Sequence, residues 1–188
     1  MKIRFLILFF LALAVQATAH PFALCMYGVN KPEYVPVIKK AGFTCFQSYQ
    51  KNPEKLAPLA EAAAKYGLQV MFHPQEVIDS EYQEEAQNWP VLAWYLVDEP
   101  DVWKAGRARV KESHQISKSV FPNHPTSLVI GQGKTAIPYY DLSDILMMDW
   151  YPVPHLALTS FGDNVRWHRS SGCTHRIGKT RFAGTIST

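Results

Sequence analysis

The sequence predicts an α/β fold: a (β/α)8 barrel of the TIM type, truncated after about six strands. Three observations predict it. First, short apolar runs without polar alternation recur between residues 24 and 148, separated by stretches with helical periodicity. Strands that are apolar on both faces belong to a parallel sheet covered by helices. Second, polar or aromatic residues follow nearly every run: Tyr27 and Asn30, Gln47 and Tyr49, His73, Asp98 and Glu99, Gln132, Asp149 and Tyr151. A barrel collects such a ring at its C-terminal face, whereas a doubly wound sheet gathers its site at one crevice. Third, the 188 residues hold six such units, against eight units and about 250 residues for a full barrel.

The elements follow in order. Leu24–Tyr27 is a first apolar run ending at Gly28. Pro32–Ala41 is helical, with Tyr34, Val35, Ile38 and Ala41 on one face and Gly42 as its stop. Phe43–Phe46 is the second strand. Asn52 caps the next helix with Pro53 at its first position, Leu56, Leu59, Ala60 and Ala63 form its apolar face, and Gly67 ends it. Leu68–Phe72 is the third strand. Ser80 and Gln83 have capping-box spacing for a short helix to Gln87. Val91–Val97 is the fourth strand, and Val102–Phe121 a helix closed by Pro122. Thr126–Ile130 and Ile145–Met148 are the fifth and sixth strands.

Both ends differ from this body. Lys2 and Arg4 precede an apolar run from Phe5 to Val15, and Ala17-Thr18-Ala19 offers a small-residue cleavage site. Eleven apolar residues are too few to span a bilayer, so residues 1–19 read as a signal peptide. The expectation is a secreted or periplasmic protein with no stable membrane association after cleavage. Residues 20–163 hold all 16 acidic side chains against 12 basic ones, while 164–188 hold five basic and no acidic ones. An acidic body argues against a nucleic-acid surface. Residues 20–167 are read as the partial barrel, and 168–188, without periodicity or carboxylates, as an aberrant basic tail from a frameshifted or truncated gene. The three cysteines, Cys25, Cys45 and Cys173, make no even framework. Cys25 and Cys45 are expected as small buried thiols, with a bridge between them the lesser alternative.

The sharpest chemical signal is Trp94-Tyr95-Leu96-Val97-Asp98-Glu99-Pro100. An apolar run is a costly place to desolvate charge without purpose. A carboxyl there, walled by aromatic rings, has its pKa raised towards the range of a general acid. Asp101 is expected as a solvated loop carboxylate or a charge at the start of the following helix. Gly131-Gln132-Gly133-Lys134-Thr135 resembles the end of a P-loop, but Leu128 stands where the first glycine belongs and Pro138 disrupts the helix that should follow. The histidines show no metal-ligand spacing. No cofactor or metal is expected.

The ending of the fourth run resembles that of the clan A glycoside hydrolases, which share a (β/α)8 barrel and carry their acid/base glutamate in an Asn-Glu-Pro sequence. Asp98-Glu99-Pro100 matches two of those three positions. The resemblance implies Glu99 as general acid/base, with Asp98 where the clan has an asparagine that binds the sugar 2-hydroxyl. Asp149-Trp150-Tyr151-Pro152 resembles the clan's His-x-Tyr ending, with Asp149 in place of the histidine. That implies a substrate contact for Tyr151 and sugar stacking for Trp150. The clan's nucleophile, a glutamate ending strand seven, has no match here. The resemblance covers about residues 22–167 and rests on short motifs.

The expected function is therefore an exported glycoside hydrolase-like protein that hydrolyses O-glycosidic bonds. Glu99 is its catalytic residue, and Asp98, Gln47, Gln132, Asp149, Trp150 and Tyr151 contact the carbohydrate. The fragment itself is predicted to be weakly active or dead. Two alternatives stand beside this: a carbohydrate-binding barrel without catalysis, and a non-functional gene product.

Overall fold

The computed structural model describes residues 23–131, 137–152, 155–160, 162–163, 166 and 181–185. Seven strands and three α-helices are described: β1 Cys25–Met26, α1 Val35–Lys40, β2 Cys45–Gln47, α2 Pro53–Tyr66, β3 Gln69–Met71, β4 Trp94–Tyr95, α3 Arg107–Val120, β5 Thr126–Ile130, β6 Ile145–Asp149 and β7 Arg181–Thr185. Every pairing is parallel and sequential, in one sheet of order β1-β2-β3 and another of order β4-β5-β6-β7. Backbone bonds also cross between the sheets. Val70 bridges Val91, and the Tyr95 N–H donates to the Phe72 carbonyl at 2.8 Å.

Helix α2 shows how closely local sequence dictates local structure. The Asn52 side chain accepts the Glu54 N–H at 2.9 Å, satisfying one of the donors that a helix start leaves orphaned. Pro53 fills the first position, where its missing N–H costs nothing. Leu56, Leu59, Ala60 and Ala63 are all fully buried, and Gly67 closes the helix in the left-handed region at φ 63°. Each large side chain buried in this way contributes roughly 1.5–3 kcal/mol over leaving it in water.

Packing separates into layers. Phe46, Val70, Phe72 and Trp94 point out of the sheet towards α1 and α2, with Val35, Ile38, Leu56, Leu59 and Phe121 in the same cluster. Leu128, Ile130 and Leu146 pack likewise with Val110, Tyr139 and Leu142. The opposite sheet face is a separate cluster of Met71, Tyr95, Val129 and Met147, with Cys25, Tyr27 and Ile145 at its margin. Residues of β1, β3, β4, β5 and β6 thus meet on one inner face while their neighbours in sequence meet the helices. This is the two-residue alternation of β-structure, masked in the sequence because both faces are apolar.

Several expectations are corrected. Cys25 and Cys45 form a disulfide rather than two buried thiols. They stand opposite each other in the β1–β2 register, with Cα atoms 4.4 Å apart, a separation that the sequence alone could not supply. The predicted helix over 32–41 begins as a 3-10 turn at Pro32–Tyr34, and Tyr34 and Ala41 are exposed. The capping box at Ser80 does not form. The Gln83 side chain instead accepts the Asp79 N–H at 2.8 Å, and the helix shrinks to a 3-10 turn at Glu85–Asn88. The fourth strand contracts to Trp94–Tyr95, because the chain turns after Val97. Helix α3 starts at Arg107 instead of Val102, since Glu99 and Lys104 both adopt positive φ and hold the intervening residues as turns.

The count of six strands is too low. Arg181–Thr185 pairs with β6 from Ile145 to Asp149, inside the segment expected to be an aberrant tail. Its Arg-Phe-Ala-Gly-Thr sequence lacks a long apolar run, but a parallel ladder needs only backbone donors and acceptors in register. The remainder of the tail and the expected signal peptide lie outside the described residues.

Candidate active site at the strand ends

The strands present their C-terminal ends to one region, where a carboxylate cluster meets aromatic rings. Tyr95 is fully buried on the inner face of β4. Its ring meets Tyr27 at 6.2 Å, Tyr49 at 6.2 Å and His73 at 5.1 Å, each nearly perpendicular. These side chains come from four consecutive strands or the residues just beyond them. Edge-to-face contacts of this kind fix ring orientation beyond what burial supplies.

Asp98 is held by two of these rings. The Tyr95 hydroxyl donates to Asp98 Oδ1 at 2.8 Å and the Tyr49 hydroxyl to Oδ2 at 3.2 Å. Burial, with the Asp98 charge second, pushes the Tyr49 phenol up to about 12. Burial raises the Tyr95 phenol too. Both phenols therefore remain protonated donors at neutral pH. Burial lowers the His73 pKa, favouring the neutral ring.

Glu99 follows in a left-handed backbone conformation, φ 42°. Such a conformation costs a non-glycine residue of order 1–3 kcal/mol and is retained where surroundings impose it. Its carboxyl lies against Gly131, just past β5. A Cβ placed on Gly131 would stand 2.5 Å from Glu99 Oε1 and 2.6 Å from Val102 Cγ2, so no larger residue fits there without displacement. Burial raises the Glu99 pKa first, and the charges of Asp149, Asp98 and Asp101 raise it further. Asp101 is buried and accepts the Gly131 N–H at 3.0 Å. That corrects the expected solvated role: Asp101 ties the turn after Glu99 to the end of β5.

Asp149 ends β6. Its Oδ2 accepts the Tyr151 hydroxyl at 2.7 Å, while Oδ1 is buried without a hydrogen-bond partner among the described residues. Burial raises its pKa. The Tyr151 hydrogen bond opposes that shift and the Asp98 charge adds to it.

Of the predicted site residues, Asp98, Glu99, Asp149 and Tyr151 form this connected group. Tyr151 is exposed. Trp150 is partly buried, and its indole N–H donates to Ser160 Oγ at 2.9 Å. Gln47 is fully buried; its carbonyl oxygen accepts the Gly28 N–H at 3.3 Å and its amide nitrogen has no partner among the described residues. Gln132 lies outside the described residues. Sequence reasoning missed the role of Tyr95, read as an ordinary strand residue, and of Asp101. It also passed over Trp103, whose N–H donates to the Glu99 carbonyl at 3.0 Å and whose side chain is 74% exposed. An unburied tryptophan one turn beyond the Asp-Glu pair was the available signal. Among the described residues no group of His, Cys, Asp or Glu is arranged to hold a metal ion, and no helix is long and apolar enough to cross a membrane.

No family model matches the chain, and no curated protein matches it either. Solved structures do. The chain is similar to a GH2 beta-galacturonidase from Eisenbergiella tayi, with a TM-score of 0.61 at 13% identity over 85% of this chain and 34% of that one. It is similar to a glycoside hydrolase family 17 beta-1,3-glucanosyltransferase from Rhizomucor miehei, with a TM-score of 0.60 at 11% identity over 85% of this chain and 70% of that one. A beta-glucuronidase from Parabacteroides merdae gives a TM-score of 0.54 at 11% identity over 87% of this chain and 24% of that one. The chain thus spans about a third of the galacturonidase and a quarter of the glucuronidase. At these identities the likeness is one of fold, and the fold is one that glycoside hydrolases use.

Proposed function

We propose that the chain is the catalytic-face portion of an exported (β/α)8-barrel glycoside hydrolase, hydrolysing O-glycosidic bonds with Glu99 as general acid/base. One observation carries the reading. Glu99 sits in a strained backbone conformation at the strand ends, its carboxyl pKa raised by burial and by Asp149, Asp98 and Asp101. A carboxyl whose pKa is raised is better suited than an ordinary one to give its proton to a departing sugar oxygen. Sequential parallel strands with a shared inner face support the barrel. An eight-stranded barrel needs one strand more than the seven described. The glycoside hydrolase structures of similar fold support a carbohydrate substrate. Export is supported by the Cys25–Cys45 disulfide, since such bonds persist in oxidising compartments, and by the leader-like residues 1–19.

In this reading Asp98 positions rather than reacts. Both of its oxygens are engaged by tyrosine hydroxyls, and its charge favours the protonated form of Glu99 beside it. Trp103, Trp150 and Tyr151 supply rings against which a sugar face packs.

Turnover of aryl glycosides by the wild-type protein and by Glu99→Gln tests the proposal. The variant is expected to lose about 10²–10⁴-fold in kcat; equal rates would sink the role of Glu99. A second reading, a barrel that binds carbohydrate without cleaving it, is favoured by the commitment of Asp98 to two tyrosines. Quenching of tryptophan fluorescence by oligosaccharides with no turnover would select it.

A further inference from the structure

Among the described residues, the acids at the strand ends are not balanced by any cation. The Glu99 carboxyl lies against Gly131. The β5–β6 register pairs Ile130 with Met148 and so sets Gly131 beside Asp149. Asp98 joins the same region through Tyr49 and Tyr95. No described lysine or arginine pairs with any of these three acids; the ion pairs lie elsewhere, at Arg107–Asp141, Lys118–Asp144 and Arg166–Asp163. Burial drives His73, beside Tyr95, towards its neutral form. A cleft lined by one sign of charge concentrates ligands of the other sign.

The three acids are not equivalent. Asp98 has both oxygens engaged by tyrosine hydroxyls, and Glu99 is the proton donor of the reading above. Asp149 gives Oδ2 to Tyr151 and keeps Oδ1 buried and unpartnered among the described residues. A buried carboxylate oxygen without a donor is costly. An ammonium group supplies both the donor and the missing charge, and such charge-assisted bonds are about twice as strong as neutral ones.

A second buried group calls for the opposite kind of partner. Gln47 is fully buried at the end of β2. Its register partner Met71 belongs to the inner-face cluster with Tyr95 and Met147, so Gln47 points to that face too. The Gly28 N–H occupies its carbonyl oxygen at 3.3 Å, which leaves the amide nitrogen as the end without a partner among the described residues. Gln47 stands two residues before Tyr49, and Met147 two before Asp149. The amide therefore belongs to the layer directly beneath the acids, where it offers donors to an oxygen.

Resting on the hydrolase reading above, we propose that the substrate is an amino sugar with a free amine: its ammonium group meets Asp149 Oδ1, and one of its oxygens accepts from Gln47 Nε2. A neutral sugar leaves the Asp149 charge uncompensated, and an N-acetylated one brings bulk without charge.

Isothermal titration calorimetry on the full chain, at about pH 6 where an amine is charged, tests this with trisaccharides of one β-1,4-linked scaffold built from glucosamine, N-acetylglucosamine or glucose. The glucosamine trimer is expected to bind about tenfold or more tightly than the other two. Asp149→Asn should erase that preference and leave the affinity for the glucose trimer within about twofold, with Asp149→Ser in its place if the first variant fails to fold. Gln47→Met, similar in volume but without donors, should weaken all three alike. Equal affinities in the wild type, no binding of any trimer, or a preference that survives the loss of the Asp149 charge overturns the amino-sugar assignment. Unchanged affinities in Gln47→Met overturn the part given to Gln47. Turnover separates the proposal from the reading beneath it. Cleavage of p-nitrophenyl glucoside but not of the glucosaminide overturns the amino-sugar assignment and leaves the hydrolase standing. A binding preference for the glucosamine trimer, with no aryl glycoside cleaved, overturns the hydrolase and supports the ligand class.

Discussion

Glu99 illustrates how an acidic residue at a strand end acquires an altered proton affinity. Its pKa and that of Asp149 are raised, chiefly by burial. The folded state therefore binds protons more tightly than the unfolded chain, and these groups favour folding most at low pH. That contribution is lost as pH rises from the ordinary carboxylate range through the raised folded values. Glu99→Gln should remove part of this slope, so chemical denaturation of variant and wild type should diverge as pH rises from the ordinary carboxylate range through the raised folded value and differ by a constant amount beyond it. A slope identical in the two proteins would contradict the burial of Glu99. Gly131→Ala probes the same geometry from the other side. A Cβ 2.5 Å from Glu99 Oε1 must move the carboxyl or the backbone, and overpacking of this kind costs about 1–3 kcal/mol. Its melting temperature should fall, and aryl-glycoside turnover should fall with it.

At the scale of elements, α2 was fully legible because every signal for it is local. Cap, first-position proline, apolar spacing and terminal glycine lie within 16 residues. Asn52→Ala should cost about 1 kcal/mol and Leu59→Ala about 2–5 kcal/mol, both read from urea denaturation midpoints. Strand β4 was less legible. Seven apolar residues suggested a full-length strand, yet only Trp94–Tyr95 is regular strand; bonds to β5 continue through Leu96 and Val97 before the Asp98-Glu99-Pro100 turn. Strand β7 was not legible at all, since its place depends on β6 and not on its own composition. The site divides along the same line. Asp98, Glu99 and Asp149 could be read from strand endings, whereas Tyr95, Asp101 and Gly131 matter only through contacts made across strands.

For the whole molecule, two sheets of parallel strands share an inner face and are joined where β3 meets β4. Such a wall pairs neighbouring strands at sequence separations of the same order, 20 residues from Cys25 to Cys45 at its start and 18 from Ser127 to Ile145 further on. Reduction of the Cys25–Cys45 bond should destabilise the protein by about 3 kcal/mol, as expected for a closed loop of this length. Denaturation with and without a thiol reductant measures it, and no difference would mean that the unfolded chain is not constrained by the bond. The same bond bears on the order of assembly. Strand β1 is two residues long and has β2 as its sole strand neighbour among the described residues, so hydrogen bonding alone holds it weakly. A chain made from its N-terminus exposes both cysteines before β3 exists, and a short loop closes at small entropic cost. Oxidation at that stage would turn a weak pair into a permanent template, onto which each later strand adds in sequence order.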